Sequence, residues 1–277
     1  MASAQSVPPA TRPAPPRPQV PLLPIQRFPL QLESWRPLAP GICHYVFNRG
    51  DGQPLPFLPG QFIQVHFRYA DGTETKRSYS LATVHPPGGE PTGQVEIAVS
   101  FVPGGAATAL FEGLEPGDTL EASGPFGRFC LMPQDANRRY VLIATGTGVT
   151  PYRSMLPLLE QAIVDRGVQV VLLQGARRPD ELLYGDEFRA FANRHPDHVR
   201  YLPCFSRELP PAGSSQSHED VRHGYVQQFI GELDPDPAAD ISYLCGNPNM
   251  VDAAFEALRE AGLEPRQIRR EKYVSSK

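Results

Sequence analysis

Long hydrophobic runs are missing from this 277-residue sequence: none approaches the roughly 18 apolar residues that a membrane-spanning helix needs. No membrane span is expected. An excess of one charge is missing too, since 26 basic residues against 30 acidic ones leave a net charge of -4 and a pI near 6.0. The chain as a whole is therefore no electrostatic match for nucleic acid. Close cysteine pairs are absent: Cys43, Cys130, Cys204 and Cys245 stand far apart, with no C-x-x-C spacing. That argues against a zinc site, an iron–sulfur cluster or a disulfide framework, and fits a reducing compartment. The first two dozen residues lack the apolar core of a secretory signal, and Pro8, Pro9, Pro13, Pro15, Pro16 and Pro18 would break an amphipathic transit helix. Residues 1–24 are expected to form a disordered, proline-rich tail on a cytoplasmic protein.

What remains is 40% hydrophobic and 20% charged with a mean hydropathy of -0.32, the composition of a soluble globular protein. Its length suits two units of roughly 120 to 140 residues each. From about Ile25 to Met132, short alternating runs such as Phe62–Phe67, Val95–Phe101 and Thr119–Ser123 lie between Gly/Pro turns, with one short helix around Ala106–Phe111. This predicts an antiparallel β-barrel or sandwich over residues 25–134. The rhythm then changes. Strands at Tyr140–Ala144, Val168–Leu173, Val199–Leu202 and Ile241–Cys245 alternate with helices after Thr150, over Pro179–Asn193 and over Pro248–Ala261. Residues 135–277 are thus expected to fold as an α/β, Rossmann-like unit with a parallel sheet, interrupted by a surface loop at Pro210–His218. Pro157 is expected to kink its helix.

Gly146-Thr147-Gly148-Val149-Thr150-Pro151 joins a predicted strand to a predicted helix, where a parallel sheet binds dinucleotide phosphates. Its glycines admit a close backbone approach, Thr150 can cap the helix and Pro151 suits the first turn. The plainer alternative is a glycine turn needed for packing. The next strand ends in Arg177 and Arg178 rather than an acid, and a later one in Ser206-Arg207, a hydroxyl and a guanidinium suited to a 2'-phosphate. That pattern favours NADPH over NADH, unless Arg207 is only a solvated surface residue. Arg77-Ser78-Tyr79-Ser80 opens an apparent strand, Ser78–Thr83, with Arg77 and Tyr79 on one face and Ser78 and Ser80 on the other. An arginine for a pyrophosphate, a tyrosine for an aromatic ring and a serine hydroxyl compose a ligand face; a plain barrel strand with an ion pair remains the alternative.

The order of motifs carries more than any one of them. Arg77-x-Tyr79-Ser80 is followed by Gly105-Ala106-Ala107-Thr108, Gly124-Pro125-Phe126-Gly127, the loop at Gly146, and Cys245-Gly246-Asn247-Pro248-Asn249-Met250. In this sequence of motifs the chain resembles the ferredoxin–NADP reductase family, bacterial and plant-type, over residues 25–277. The resemblance implies that Arg77, Ser78, Tyr79, Ser80, Val99 and Gly105 to Thr108 bind FAD, with Ser80 near the flavin N5. It implies further that Gly146, Thr147, Gly148, Thr150, Arg177, Ser206, Arg207 and Gly246 bind NADPH, with NADH the lesser choice. Cys245 would stand beside the nicotinamide. Glu271-Lys272-Tyr273 resembles the family's Glu-x-Tyr terminus, which implies a flavin-covering Tyr273 and a proton-handling Glu271, although Val274–Lys277 extends past it.

The implied activity is electron transfer between NADPH and a separate one-electron carrier, ferredoxin or flavodoxin, by a workable monomer. Arg266, Arg269, Arg270 and Lys272 form the candidate docking run. Rival readings are a reductase component of an oxygenase system, a reductase of free flavins or ferric chelates, and a non-catalytic regulatory module.

Overall fold

The computed structural model describes residues 24–85, 89–214 and 220–274. The expected tail, except residue 24, lies outside the described residues, as do residues 215–218 of the surface loop and the last three residues of the chain.

Six strands and one helix build the first unit: β1 (Gln26–Ala39), β2 (Ile42–Arg49), β3 (Phe62–Arg68), β4 (Glu74–Ser80), β5 (Gln94–Ser100), α1 (Ala106–Glu112) and β6 (Thr119–Phe126). All pair antiparallel in the order β4-β3-β6-β1-β2-β5. A bridge between Leu81 and Ile97, with Ala82 N–H donating to the Glu96 carbonyl at 2.7 Å, draws the end of β4 onto β5 and closes the sheet towards a barrel. Alternation decides the inside. Val95, Ile97 and Val99 are at most 1% exposed and pack with Leu30, Phe47, Val65 and Phe111. Burying each such side chain contributes about 1.5–3 kcal/mol. Ala98, between Ile97 and Val99, faces the other way and belongs to the core of the second unit.

The second unit comprises β7 (Arg139–Thr145), α2 (Thr150–Arg166), β8 (Gln169–Ala176), α3 (Gly185–Arg194), β9 (Val199–Phe205), β10 (Arg222–His223), β11 (Asp240–Gly246), α4 (Pro248–Glu260) and β12 (Ile268–Lys272). Its strands are all parallel, in the order β10-β9-β8-β7-β11-β12. Runs such as Tyr140 to Ala144 are buried on both sides, as a helix-covered parallel sheet requires. The chain starts at β7, winds out through β8 and β9, then returns to place β11 on the other flank of β7. That reversal is a topological switch, where such sheets hold ligands at their strand carboxyl ends.

Two local expectations differ from the structure. The strand expected at Ser78–Thr83 is β4, shifted back to Glu74–Ser80, because Glu74, Lys76 and Ser78 alternate outward on an edge strand and show no apolar pattern. The helix expected over Pro179–Asn193 is a single 3-10 turn, Pro179–Glu181, followed by α3 from Gly185. Tyr184 separates them in a left-handed conformation (φ 55°), its hydroxyl held 2.9 Å from His44 Nδ1 of the barrel. Pro157 stands buried inside α2, which continues through it to Arg166.

A polar seam joins the two units. Arg153 of α2 donates to Glu96 of β5 at 2.6 Å, to the Ala82 carbonyl at 2.6 Å and to Glu187 of α3 at 2.7 Å. His44 reaches the same Glu96 carboxylate at 3.1 Å. Gly60 N–H donates to Ser154 Oγ at 3.2 Å, and a Cβ at Gly60 would lie 2.0 Å from the Phe129 carbonyl oxygen.

Candidate functional site

Two clefts meet at one turn, the 3-10 segment Gly146–Val149 between β7 and α2. The first, about 570 Å³, is walled by Arg77, Ser78, Tyr79 and Ser80 from β4, by Ala98 and Ser100 from β5, and by Gly105, Ala107 and Thr108 at the start of α1. Thr147, Thr150, Glu271 and Tyr273 close it from the second unit. All four residues of the Arg77 motif reach this cleft, not one face alone, because β4 is the free edge of its sheet. Arg77 donates to the Tyr69 hydroxyl at 2.9 Å and to Thr75 Oγ1 at 3.0 Å, which fixes the guanidinium on the cleft wall. Tyr79 stands edge-on to Phe111 of α1, centroids 5.3 Å apart, and burial raises its hydroxyl to a pKa of about 12. It is a neutral aromatic wall.

The far wall is a cluster of polar groups gathered around one carboxyl, Glu271. Tyr273 follows β12, its N–H donating to the Gly246 carbonyl at 2.9 Å, and its hydroxyl hydrogen-bonds the Ser80 hydroxyl. Cys245 lies opposite Glu271 in the β11–β12 ladder. Burial pushes the Cys245 thiol and the Tyr273 hydroxyl well above their ordinary values and lifts Glu271 from 4.5 to about 7. Ser80, Cys245, Glu271 and Tyr273, the four residues implied as catalytic, thus converge. Cys245, 0% exposed, is the one that does not line the wall itself.

The second cleft, about 630 Å³, runs along the carboxyl ends of the parallel strands. Thr145 ends β7 and Gly146 follows it, Gly175 and Ala176 end β8 and Arg177 follows them, Ser206 follows β9, Gly224 to Gln227 follow β10, Asn247 precedes α4, and Asn249 and Met250 lie in its first turn. Asn247 caps α4 by accepting from the N–H groups of Asn249 and Met250 at 2.9 and 3.4 Å. Pro40 and Ile42, at the tip of the β1–β2 hairpin, reach over from the barrel as an apolar lip.

Several expected residues are placed otherwise. Val99 points into the barrel core at 1% exposure, because strand alternation gives the cleft to Ala98 and Ser100. Ala106 is off the wall. Thr108 donates its hydroxyl to the Val102 carbonyl at 2.9 Å and accepts from the Val102 N–H at 2.7 Å, so it braces the loop before α1. Gly148 and Gly246 serve packing: a Cβ at Gly148 would lie 2.3 Å from the Cys245 carbonyl oxygen, and one at Gly246 2.5 Å from that of Thr145. Thr150 is the first residue of α2 rather than its cap, and its buried hydroxyl has no hydrogen-bond partner. Arg207 is exposed and off the cleft wall, since the chain leaves the sheet after Phe205; the guanidinium on that wall belongs to Arg177. The run Arg266, Arg269, Arg270 and Lys272 is spent locally, on Glu264 (2.7 Å), on Asp135 (2.6 Å), on the Phe255 ring (4.0 Å) and on Asp252 (2.7 Å). Sequence reasoning passed over Glu181, Tyr225, Pro40 and Ile42. Tyr225, 61% exposed behind Gly224, carried the one readable signal, a large aromatic in a glycine-marked turn.

Similarity to known proteins agrees with this geometry. The sequence matches the oxidoreductase FAD-binding domain over residues 29–130 and the oxidoreductase NAD-binding domain over residues 142–256. It is 36% identical over 254 residues to a ferredoxin–NADP reductase B of Sorangium cellulosum, covering 89% of this chain and 97% of that protein. This chain belongs to the ferredoxin–NADP reductase family.

As a member of that family it is a flavin-dependent oxidoreductase that uses FAD and NAD(P)H. It is also 31% identical over 256 residues to the reductase component of a propane 2-monooxygenase of Rhodococcus jostii, covering 91% of this chain and 65% of that protein. The chain thus spans about two thirds of such longer relatives. Among solved structures, the Amycolatopsis reductase GcoB aligns with a TM-score of 0.75 at 30% identity, over 90% of this chain and 70% of that one. A ferredoxin NADP+ reductase from Neisseria gonorrhoeae aligns at 0.69 over 89% and 98%, and at 22% identity it speaks for the fold alone. The residues present fit a flavin. An arginine, a flat neutral tyrosine and small residues at Gly105 and Ala107 line the first cleft, and the unpartnered Thr150 hydroxyl lies on its wall. Both cleft volumes fall in the ordinary range for cofactor sites, about 300–1,000 Å³. Among the described residues no helix is long and apolar enough to cross a membrane, and no group of three or more His, Cys, Asp and Glu could hold a metal.

Proposed function

We propose that this chain oxidises NADPH and passes the electrons to a separate one-electron carrier protein of the ferredoxin or flavodoxin kind. The observation that carries this reading is the shared turn: Gly146 lines the nucleotide cleft, while Thr147 and Thr150, in and just after the same turn, line the flavin cleft. FAD bound in the first cleft supplies the conversion between paired and single electrons.

The protein's part is to hold and orient. Arg77 offers charge to a pyrophosphate and Tyr79 a flat face to a ring. Ser80, Tyr273 and Cys245 offer hydrogen bonds without a charge, and Glu271, titrating near 7, is able to hold or release a proton at working pH. Arg177 and Ser206 are the groups that would meet a 2'-phosphate. A carrier separate from the chain is supported by the likeness to the ferredoxin–NADP reductase B of Sorangium cellulosum, which this chain matches over 97% of its length. Electron supply to an oxygenase is the second reading, favoured by the likeness to the propane 2-monooxygenase reductase.

The test is a visible spectrum of the purified protein followed by anaerobic titration with NADPH and NADH. Flavin bands should bleach with NADPH at the lower concentration, and the reduced protein should then turn over added ferredoxin or flavodoxin faster than free flavin or ferric chelate. A protein that binds no FAD on reconstitution would overturn the assignment. Arg77→Ala should release FAD more readily by about 1.5–3 kcal/mol, the worth of a charged hydrogen bond, read as flavin lost on gel filtration.

A further inference from the structure

The nucleotide cleft has distinguishable ends. Its β7/β11 end adjoins the flavin cleft through the shared turn, so a nucleotide exchanging hydride with the flavin must put its nicotinamide there. The adenosine then falls at the other end, where Ala176, Arg177, Ser206 and Tyr225 stand beyond β8, β9 and β10. One carboxylate shares that end. Glu181 closes the 3-10 turn Pro179–Glu181 and lines the cleft beside Arg177. Its Oε2 accepts from Arg177 Nε at 2.8 Å and from the Arg177 backbone N–H at 3.3 Å, and its Oε1 lies 3.5 Å from Arg178 Nη2. The Glu181 side chain is 14% exposed and that of Arg177 59%. The carboxylate is therefore built in place, while the terminal nitrogens of Arg177 have no partner among the described residues.

We infer that Glu181 sets the choice between the 2'-hydroxyl and 2'-phosphate forms of the nucleotide, by cancelling the charge of the one guanidinium on the adenosine wall. The inference rests on the proposed placement of the nucleotide. A 2'-phosphate approaching Arg177 meets the Glu181 carboxylate at the same guanidinium, whereas a 2'-hydroxyl can donate to that carboxylate. The pair thus holds down the advantage of NADPH and keeps NADH usable. With Arg207 off the wall, no second cation among the described residues lining the cleft offsets it.

The experiment is titration calorimetry of the purified, FAD-loaded protein with adenosine 2',5'-bisphosphate and with adenosine 5'-monophosphate. Glu181→Gln should bind the bisphosphate about tenfold more tightly, equivalent to about 1.4 kcal/mol, and the monophosphate no more tightly than the parent. Raising the salt concentration should narrow the gained difference. In Arg177→Gln/Glu181→Gln the gain should vanish, and the flavin spectrum of each variant reports that it is folded. An unchanged ratio of the two affinities in Glu181→Gln, or a shift towards the monophosphate, overturns the inference. Binding of neither nucleotide by a parent protein that carries FAD overturns instead the placement of the nucleotide on which it rests.

Discussion

Glu271 faces two demands, because the ladder that sets it opposite Cys245 also takes its carboxyl out of water. Burial raises its pKa from 4.5 to about 7. The folded chain therefore holds this proton more tightly than the unfolded chain. The associated stability is complete below about pH 4.5 and is lost as pH rises through about 7. The thermal midpoint of the FAD-loaded protein should thus fall between about pH 5 and pH 8, and Glu271→Gln should remove that part of the slope and melt higher at the alkaline end. A variant that follows the parent at every pH would show that the carboxyl is solvated. Thr150 presents the reverse case at this scale: neutral at all these values, it leaves a buried hydroxyl unpaired, a cost of about 1–3 kcal/mol.

The turn Gly146–Val149 shows how one short element divides its work between glycines. Gly146 sits at φ 54° in open space, so an added Cβ meets only backbone strain, about 1–2 kcal/mol. Gly148 has ordinary φ but abuts β11 backbone: a Cβ there would stand 2.3 Å from the Cys245 carbonyl oxygen and 2.5 Å from the Gly246 Cα, so the whole turn must shift. Gly148→Ala should therefore lower the denaturant midpoint further than Gly146→Ala and weaken binding in both clefts, whereas Gly146→Ala should leave the flavin site intact. The opposite ranking would refute the packing argument. The glycine spacing was legible in the sequence, but the division was not, because it depends on β11, some hundred residues onward. The same holds for α3. Its apolar periodicity is readable, yet its start at Gly185 is set by Tyr184 bonding to His44 of the barrel. Strands buried on both faces, such as β7 and β8, announced themselves as unbroken apolar runs, while β4 and the two-residue β10 had no apolar pattern to read. At the site, the Arg77 motif and the Cys245 to Tyr273 convergence followed from family order. Glu181 and Ile42 did not, since neither belongs to a motif and both arrive by the path of the chain.

At the scale of the molecule, electron transfer requires the two clefts to keep a fixed distance, and the seam that fixes it centres on Arg153. Its side chain and that of Glu96 are each 13% exposed, so the pair is largely desolvated. Removing one partner of such a pair costs about 3–5 kcal/mol, because the other charge is left buried, although His44 at 3.1 Å retains part of the contact to Glu96. Arg153→Met should accordingly lower the thermal midpoint and slow flavin bleaching by NADPH, while FAD remains bound, since the Arg77 wall belongs wholly to the barrel. Glu96→Gln combined with Arg153→Met separates the two effects. With no buried charge left at position 96, and with Glu187 more than a third exposed and 3.8 Å from Arg36, much of the stability should return. The bleaching rate should stay low, because neither new side chain ties the Ala82 carbonyl and Glu187 to one guanidinium. If stability and rate recover together, the seam serves stability alone, and the spacing of the clefts is set instead by the apolar contacts of Ala98, Phe129 and Tyr152.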